Sequence, residues 1–496
     1  MTKLSTGIPN LDAVLGGGLQ GGSLVYLVGG PGAGKTILAQ QICFSLATPK
    51  HKALYYTMLS EPHPKLIDHL GSFDFFDRSA LGERVEFLNL SGVIETGQSG
   101  EQSMSWDKAL DVVVDEVAAT SIKLQPSVIV IDSIRALRDV VPLPDFRDFV
   151  YKLASRIAHT NTLLILVGEY SLDGITSSSE FAVGDGIIYL ANEPFGRFDQ
   201  RWLRVVKMRG NATLPGKHSF RIGTEGISVY PRFEVLAPAP ADVSVDSSGR
   251  VPFGISDLDD MTGGGLPRAS STLIAGPSGA GKTVLGLHFM ADGIARGERC
   301  LYLSFQQTEH RIIERARTFG WDFEAAQESG LLSLKYLQPV EISLDMIGVQ
   351  LLAAAHEQGV KRVVIDSLAE IEPAARGTGR FPDFLSTLVG LFRSVGATSL
   401  MTSETTAFFG PSFELPHGLA FVADNVILLR YAEMNSQIHR VLGVMKMRDG
   451  NHDKSLMEVQ IDAAGLHIVG RFAGLTGVLE GTPSAGDDVI GPVRRS

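Results

Sequence analysis

Residues Gly29-Gly30-Pro31-Gly32-Ala33-Gly34-Lys35-Thr36 fit the pattern Gly-x-x-x-x-Gly-Lys-Thr, and Gly276-Pro277-Ser278-Gly279-Ala280-Gly281-Lys282-Thr283 fit it again. Glycines at these places let backbone amides curl around a phosphate with no Cβ in the way, and the positive end of a following helix adds to the attraction. Lys35 and Lys282 would reach the β and γ phosphates, while the Thr36 and Thr283 hydroxyls would ligate Mg2+. Taken singly, such a run could be a plain strand-to-helix turn. Two copies, each between a predicted strand and a predicted helix, read as P-loops.

Asp132 and Asp366 close the apolar runs Val128 to Ile131 and Val363 to Ile365. A carboxylate emerging at the carboxyl edge of a sheet beside a P-loop can hold the Mg2+ shell; the plainer reading is a helix N-cap. Hydrolysis also needs a group that takes a proton from water. The run Ala53 to Leu59 leads into Ser60-Glu61, and Glu61 is the expected base. The matching run Cys300 to Phe305 leads into Gln306-Gln307, whose amides can orient water but cannot accept its proton, unless both are simply polar surface residues. The first copy is therefore expected to hydrolyse and the second mainly to bind. Lys207 with Arg209, and Lys446 with Arg448, read either as solvated strand residues or as cations that enter a neighbour's site and stabilise γ-phosphate charge. The second reading demands a ring.

The elements that must position these residues occur twice. Thr6 to Leu19 reappears as Phe253 to Leu266, an offset of 247, and the P-loops share that offset. The Asp-Ser strand ends and the Lys-Met-Arg runs follow in the same order. Each copy alternates apolar, β-branched runs with helical patterns, which indicates parallel strands joined by helical crossovers. The expected fold is α/β: two tandem, mostly parallel twisted sheets flanked by helices. Domain one is placed at 1–236, a Pro- and Ser-rich linker at 237–250, domain two at 251–472 and a mobile tail at 473–496. At about 150 residues per domain, 496 residues would suggest roughly three, but the repeat selects two. Part of the excess among the 54 glycines falls in the two Gly-Gly-Gly entries and the two P-loops.

A net charge of −11 gives nucleic acid no general attraction, and no run of five basic residues offers a local one. No nucleic-acid partner is expected. Cys43 and Cys300 stand far apart without metal-like spacing and read as core residues in a reducing compartment. No leader or apolar run of membrane-spanning length is found, so the cytoplasm is the expected location and no membrane contact is foreseen.

Taken together, the Gly-rich entry, the paired P-loops, the Asp-Ser strand ends and the Lys-Met-Arg runs resemble the KaiC family of tandem RecA-like ATPases up to the tail. The resemblance implies a double-ring homohexamer with ATP and Mg2+ at subunit interfaces, where Lys207 and Arg209, or Lys446 and Arg448, act on the adjacent protomer. It also implies nucleotide-base contacts at Ser72 and Thr318, and a KaiB-like or signalling partner. Where the clock members of the family carry a Glu-Glu pair after the second strand, this chain has Ser60-Glu61 and Gln306-Gln307. Where they place a phosphorylated Ser-Thr pair, it has Ala420 and Phe421. Autokinase activity is accordingly not expected. The competing readings are a RecA- or RadA-like DNA-dependent ATPase, a KaiC-type autokinase, and a nucleotide-gated scaffold.

Overall fold

In the computed structural model the described residues are 2–57, 63–90, 106–195, 198–237, 249–338, 343–375, 378–405, 419–448, 450–472, 475–481 and 483–485. The chain divides into two compact units, Met1–Leu236 and Ala237–Ser496. In the first, nine strands form one sheet: β1 (Leu24–Gly29), β2 (Ala53–Thr57), β3 (Val85–Asn89), β4 (Val128–Asp132), β5 (Leu163–Glu169), β6 (Gly186–Phe195), β7 (Phe198–Met208), β8 (His218–Gly223) and β9 (Gly226–Tyr230). Their spatial order is β3-β2-β4-β5-β1-β6-β7-β8-β9. The strands from β3 to β6 run parallel, and those from β6 to β9 are antiparallel.

The apolar runs do not alternate because both sheet faces are covered. Val25 and Leu27 of β1 pack with Tyr55, Val130 and Ile165 against Leu38 and Ile42 of helix α1 (Lys35–Leu46). Leu24, Tyr26 and Val28 face the other way, onto helices α2 (Trp106–Leu124) and α3 (Leu143–Ile157) through Val113, Val117, Phe146 and Phe149. Burying one such side chain contributes about 1.5–3 kcal/mol, so the two layers fix the sheet that carries the site.

The second unit repeats the plan. Strands β10 (Ser271–Gly276), β11 (Cys300–Ser304), β12 (Leu332–Tyr336), β13 (Arg362–Asp366), β14 (Thr398–Glu404), β15 (Asn425–Met434), β16 (Gln437–Met447), β17 (Met457–Asp462) and β18 (Gly465–Arg471) take the order β12-β11-β13-β14-β10-β15-β16-β17-β18. Helix α4 (Lys282–Ala295) follows its P-loop. Both cysteines are buried free thiols, and burial pushes the Cys300 thiol up to about 12.

Part of the tail expected to be mobile carries regular structure among the described residues. Leu475–Thr476 and Ser484–Ala485 pair as a small hairpin around a turn of 3-10 helix. Val478 is buried with Ala432 and Val441, and the Glu433 amide donates to the Gly481 carbonyl. Val478, with Leu475 packed beside it, docks the chain on an apolar strand face, a contact too short to register as periodicity.

Candidate active site

In each unit the P-loop leaves the fifth of nine strands, and the neighbouring strand ends converge on it. Gly29 pairs in register with Glu169, and Thr57 with Asp132; in the second unit Gly276 pairs with Glu404, and Ser304 with Asp366. The turn into α1 needs glycine at position 34, where φ is +93°, and the turn into α4 needs it at position 281, where φ is +112°.

Lys35 lies 7% exposed, with Nζ donating to the Gly30 carbonyl at 2.7 Å and Glu169 Oε1 at 3.9 Å. Burial pushes its ammonium down, opposed by the charges of Glu169 and Asp132. Lys282 Nζ donates to the carbonyls of Gly276 at 2.7 Å and Pro277 at 2.8 Å. Burial depresses it likewise, against Glu404, Asp366 and Glu370. A poorly hydrated ammonium held on carbonyl oxygens gains strongly from an anionic ligand, as a phosphate site requires.

Thr36 Oγ1 donates to Asp132 Oδ2 at 2.8 Å, and Tyr55 OH donates to the same oxygen at 2.6 Å. Thr283 and Tyr302 repeat this on Asp366 Oδ2 at 2.7 and 2.9 Å, and Thr402 adds a third hydroxyl on Oδ1 at 2.5 Å. Burial raises the Asp132 carboxyl, while the bonds from Tyr55 and Thr36 draw it down. One carboxylate and one hydroxyl form a hard oxygen pair suited to Mg2+ shared with phosphates. Thr36 with Asp132, and Thr283 with Asp366, would hold the ion, which supplies charge neutralisation to the phosphates.

Other expected residues lie elsewhere. Lys207 pairs with Ile187, level with Tyr26 and three residues, roughly 10 Å, short of Gly29 along the sheet. Lys207 and Arg209 thus sit at the end of the sheet away from their own P-loop, where Lys207 Nζ donates to the Ala182 carbonyl at 3.1 Å and Arg209 meets Asp185 at 3.5 Å. Lys446 and Arg448 repeat the placement on the Ala423 carbonyl at 2.7 Å and Asp424 at 3.1 Å. The hydroxyls of Ser72 and Thr318 donate backwards, to the carbonyls of His69 and Arg315. They are not equivalent positions: the helix His63–Leu70 ends where Glu309–Thr318 ends, so Thr318 matches Leu70. Phe421 is 87% exposed.

Glu61 lies outside the described residues, but the strand register bears on its position in sequence. Tyr55 matches Tyr302 and Thr57 matches Ser304, so counting onward matches Ser60 to Gln307 and Glu61 to Thr308. Counted without a gap, Ser60-Glu61 and Gln306-Gln307 are offset by one residue in sequence. Reasoning from sequence also missed the tyrosine donors and the strand-end pair Glu169 and Glu404. A signal existed, since Leu163 to Glu169 and Thr398 to Glu404 both close in an acid as the Asp-bearing runs do.

With this duplicated geometry in view, the family model "ATPase: KaiC" matches residues 4–234 and again 251–471. The chain belongs to the KaiC family. It is 28% identical over 491 residues to the circadian clock protein KaiC3 of Synechocystis sp., covering 97% of this chain and 94% of that protein. The circadian clock oscillator proteins KaiC of Picosynechococcus sp. (27%) and Parathermosynechococcus lividus (28%) align over 97% of this chain and 92% and 88% of their own lengths. The two nine-stranded sheets are the family's tandem RecA-like domains. No helix among the described residues is long and apolar enough to cross a membrane.

Proposed function

We propose that this KaiC-family protein is a slow, Mg2+-dependent ATPase that works as a double-ring homohexamer in the cytoplasm, with domains at 1–236 and 251–472. The first domain hydrolyses ATP with Glu61 as base, and the second binds ATP through the same lysine, threonine and aspartate set. The observation that carries the reading is the placement of Lys207 with Arg209, and Lys446 with Arg448, at the sheet end remote from their own P-loops. From there they serve a phosphate only if it belongs to a neighbouring copy, where they stabilise charge developing on the γ-phosphoryl. Alanine and phenylalanine at 420 and 421 provide no hydroxyl to phosphorylate, so the ring signals by nucleotide state to a protein partner rather than as an autokinase.

The test is the native mass with and without ATP, together with turnover of Lys35→Ala, Glu61→Gln and Lys282→Ala. A monomer under both conditions overturns the ring, and unchanged turnover in Glu61→Gln removes that residue as base.

A further inference from the structure

Gln306 bears one of the two amides that leave the loop after β11 without a carboxylate. Its Nε2 donates to Glu370 Oε1, and Ser367 Oγ donates to Glu370 Oε2 at 2.6 Å. The loops after β11 and β13 emerge side by side because Ser304 pairs with Asp366, so Glu370 is held by a donor from each. Glu370 is half-buried, and its charge is felt at the Lys282 ammonium together with those of Glu404 and Asp366. The other acids have different places. Asp366 is occupied by three hydroxyls. Glu404, in register with Gly276, acts most strongly on Lys282 and has its counterpart in Glu169 beside Lys35.

Glu370 has no counterpart. It follows Asp366 by four residues, and four residues after Asp132 the first domain has Ala136. The two domains thus differ by an exchange: a glutamate after the second strand in one, and a glutamate after the Asp-bearing strand in the other, held by Gln306.

We propose that Glu370 is the catalytic base of the second domain, with Gln306 and Ser367 as positioning residues, so that this domain hydrolyses ATP instead of only holding it. In the step, the water oxygen forms a bond to the γ-phosphorus and the bond from that phosphorus to the bridging oxygen of ADP breaks. The water proton passes to a Glu370 oxygen, which keeps a free lone pair beside each bond it accepts, and then to solvent. The inference goes beyond the function proposed above and rests only on its claim that the second P-loop binds ATP.

The test uses the full chain with the first domain silenced by Lys35→Ala, and again by Glu61→Gln in case one variant assembles poorly. Turnover is measured on each, and binding of a fluorescent ATP analogue on the Lys35→Ala background, where the first P-loop lacks its phosphate lysine. Residual turnover is expected in both backgrounds. Adding Glu370→Gln should cut it about 100-fold or more with analogue affinity unchanged, as for loss of a general base. Adding Gln306→Ala should lower kcat at constant KM and shift the acidic limb of the pH-rate profile, and Glu370→Asp should recover part of the rate. Analogue binding without residual turnover, or full turnover in Glu370→Gln, overturns the proposal alone. Absence of analogue binding overturns the ATP-binding reading of the domain and this proposal with it.

Discussion

At the scale of single residues, the site depends on backbone that only glycine adopts at low cost. Gly34 and Gly281 hold φ of +93° and +112°, and a Cβ on either would lie 2.9 Å from an isoleucine methyl, Ile222 or Ile461. Those methyls can shift, so the main penalty is the left-handed conformation, about 1–2 kcal/mol for alanine. Gly34→Ala and Gly281→Ala should each weaken nucleotide binding in its own domain by roughly tenfold and leave the other domain's affinity intact, read by titration against each single-lysine variant. Gly29 differs, since its Cβ would meet the Leu190 carbonyl at 1.9 Å, a backbone atom of the adjacent strand. Gly29→Ala should therefore lower the unfolding midpoint of the first domain as well as its binding, which a denaturation curve would register.

At the scale of elements, His288 stitches α4 to the start of β18. It is buried, its Nε2 accepts from the Leu466 amide at 2.9 Å, and its ring meets Trp321 edge-on at 4.6 Å. Burial pushes its pKa down from 6.5 to about 4. Below pH 6.5 the unfolded chain gains a proton that the folded chain refuses. Stability therefore falls as pH drops from 6.5 towards 4, by roughly 3 kcal/mol in all, and levels off below. Urea midpoints of the second domain should show this slope, and His288→Gln, which retains an acceptor for Leu466, should flatten it. An unchanged slope would show that other groups dominate acid sensitivity there.

At the scale of the whole molecule, the remote Lys-x-Arg pairs predict complementation. Protomers of Lys35→Ala lack their own phosphate lysine but keep Arg209; protomers of Arg209→Ala are the reverse. In a ring assembled at random from equal amounts, about a quarter of first-domain sites combine an intact lysine with a neighbour's intact arginine. Mixing should raise turnover above the mean of the two proteins assayed apart. If mixing adds nothing although rings form, Arg209 acts elsewhere. The net charge of −11 is compatible with such a ring, because a nucleotide would need positive charge only locally, at Lys35 and Lys282 and at the basic pair that the proposed neighbour would supply.

What the sequence determined by itself is whatever short-range spacing encodes: two domains, two P-loops, the Asp132 and Asp366 strand ends and strands apolar on both faces. Those signals are local because a turn, a helix start or a strand end is built from consecutive residues. Tertiary structure decided which distant residues share an edge. The order β11-β13-β14-β10 sets strands from separate parts of the chain side by side. It brings Gln306 onto Glu370 and Glu404 next to Gly276, while antiparallel pairing sets Lys207 and Lys446 away from their own P-loops. Strand register also matched Thr57 to Ser304, since pairing fixes correspondence residue by residue where counting motifs does not. The docked tail follows the same rule, because Val478 becomes an anchor only once Ala432 and Val441 present a surface to meet it.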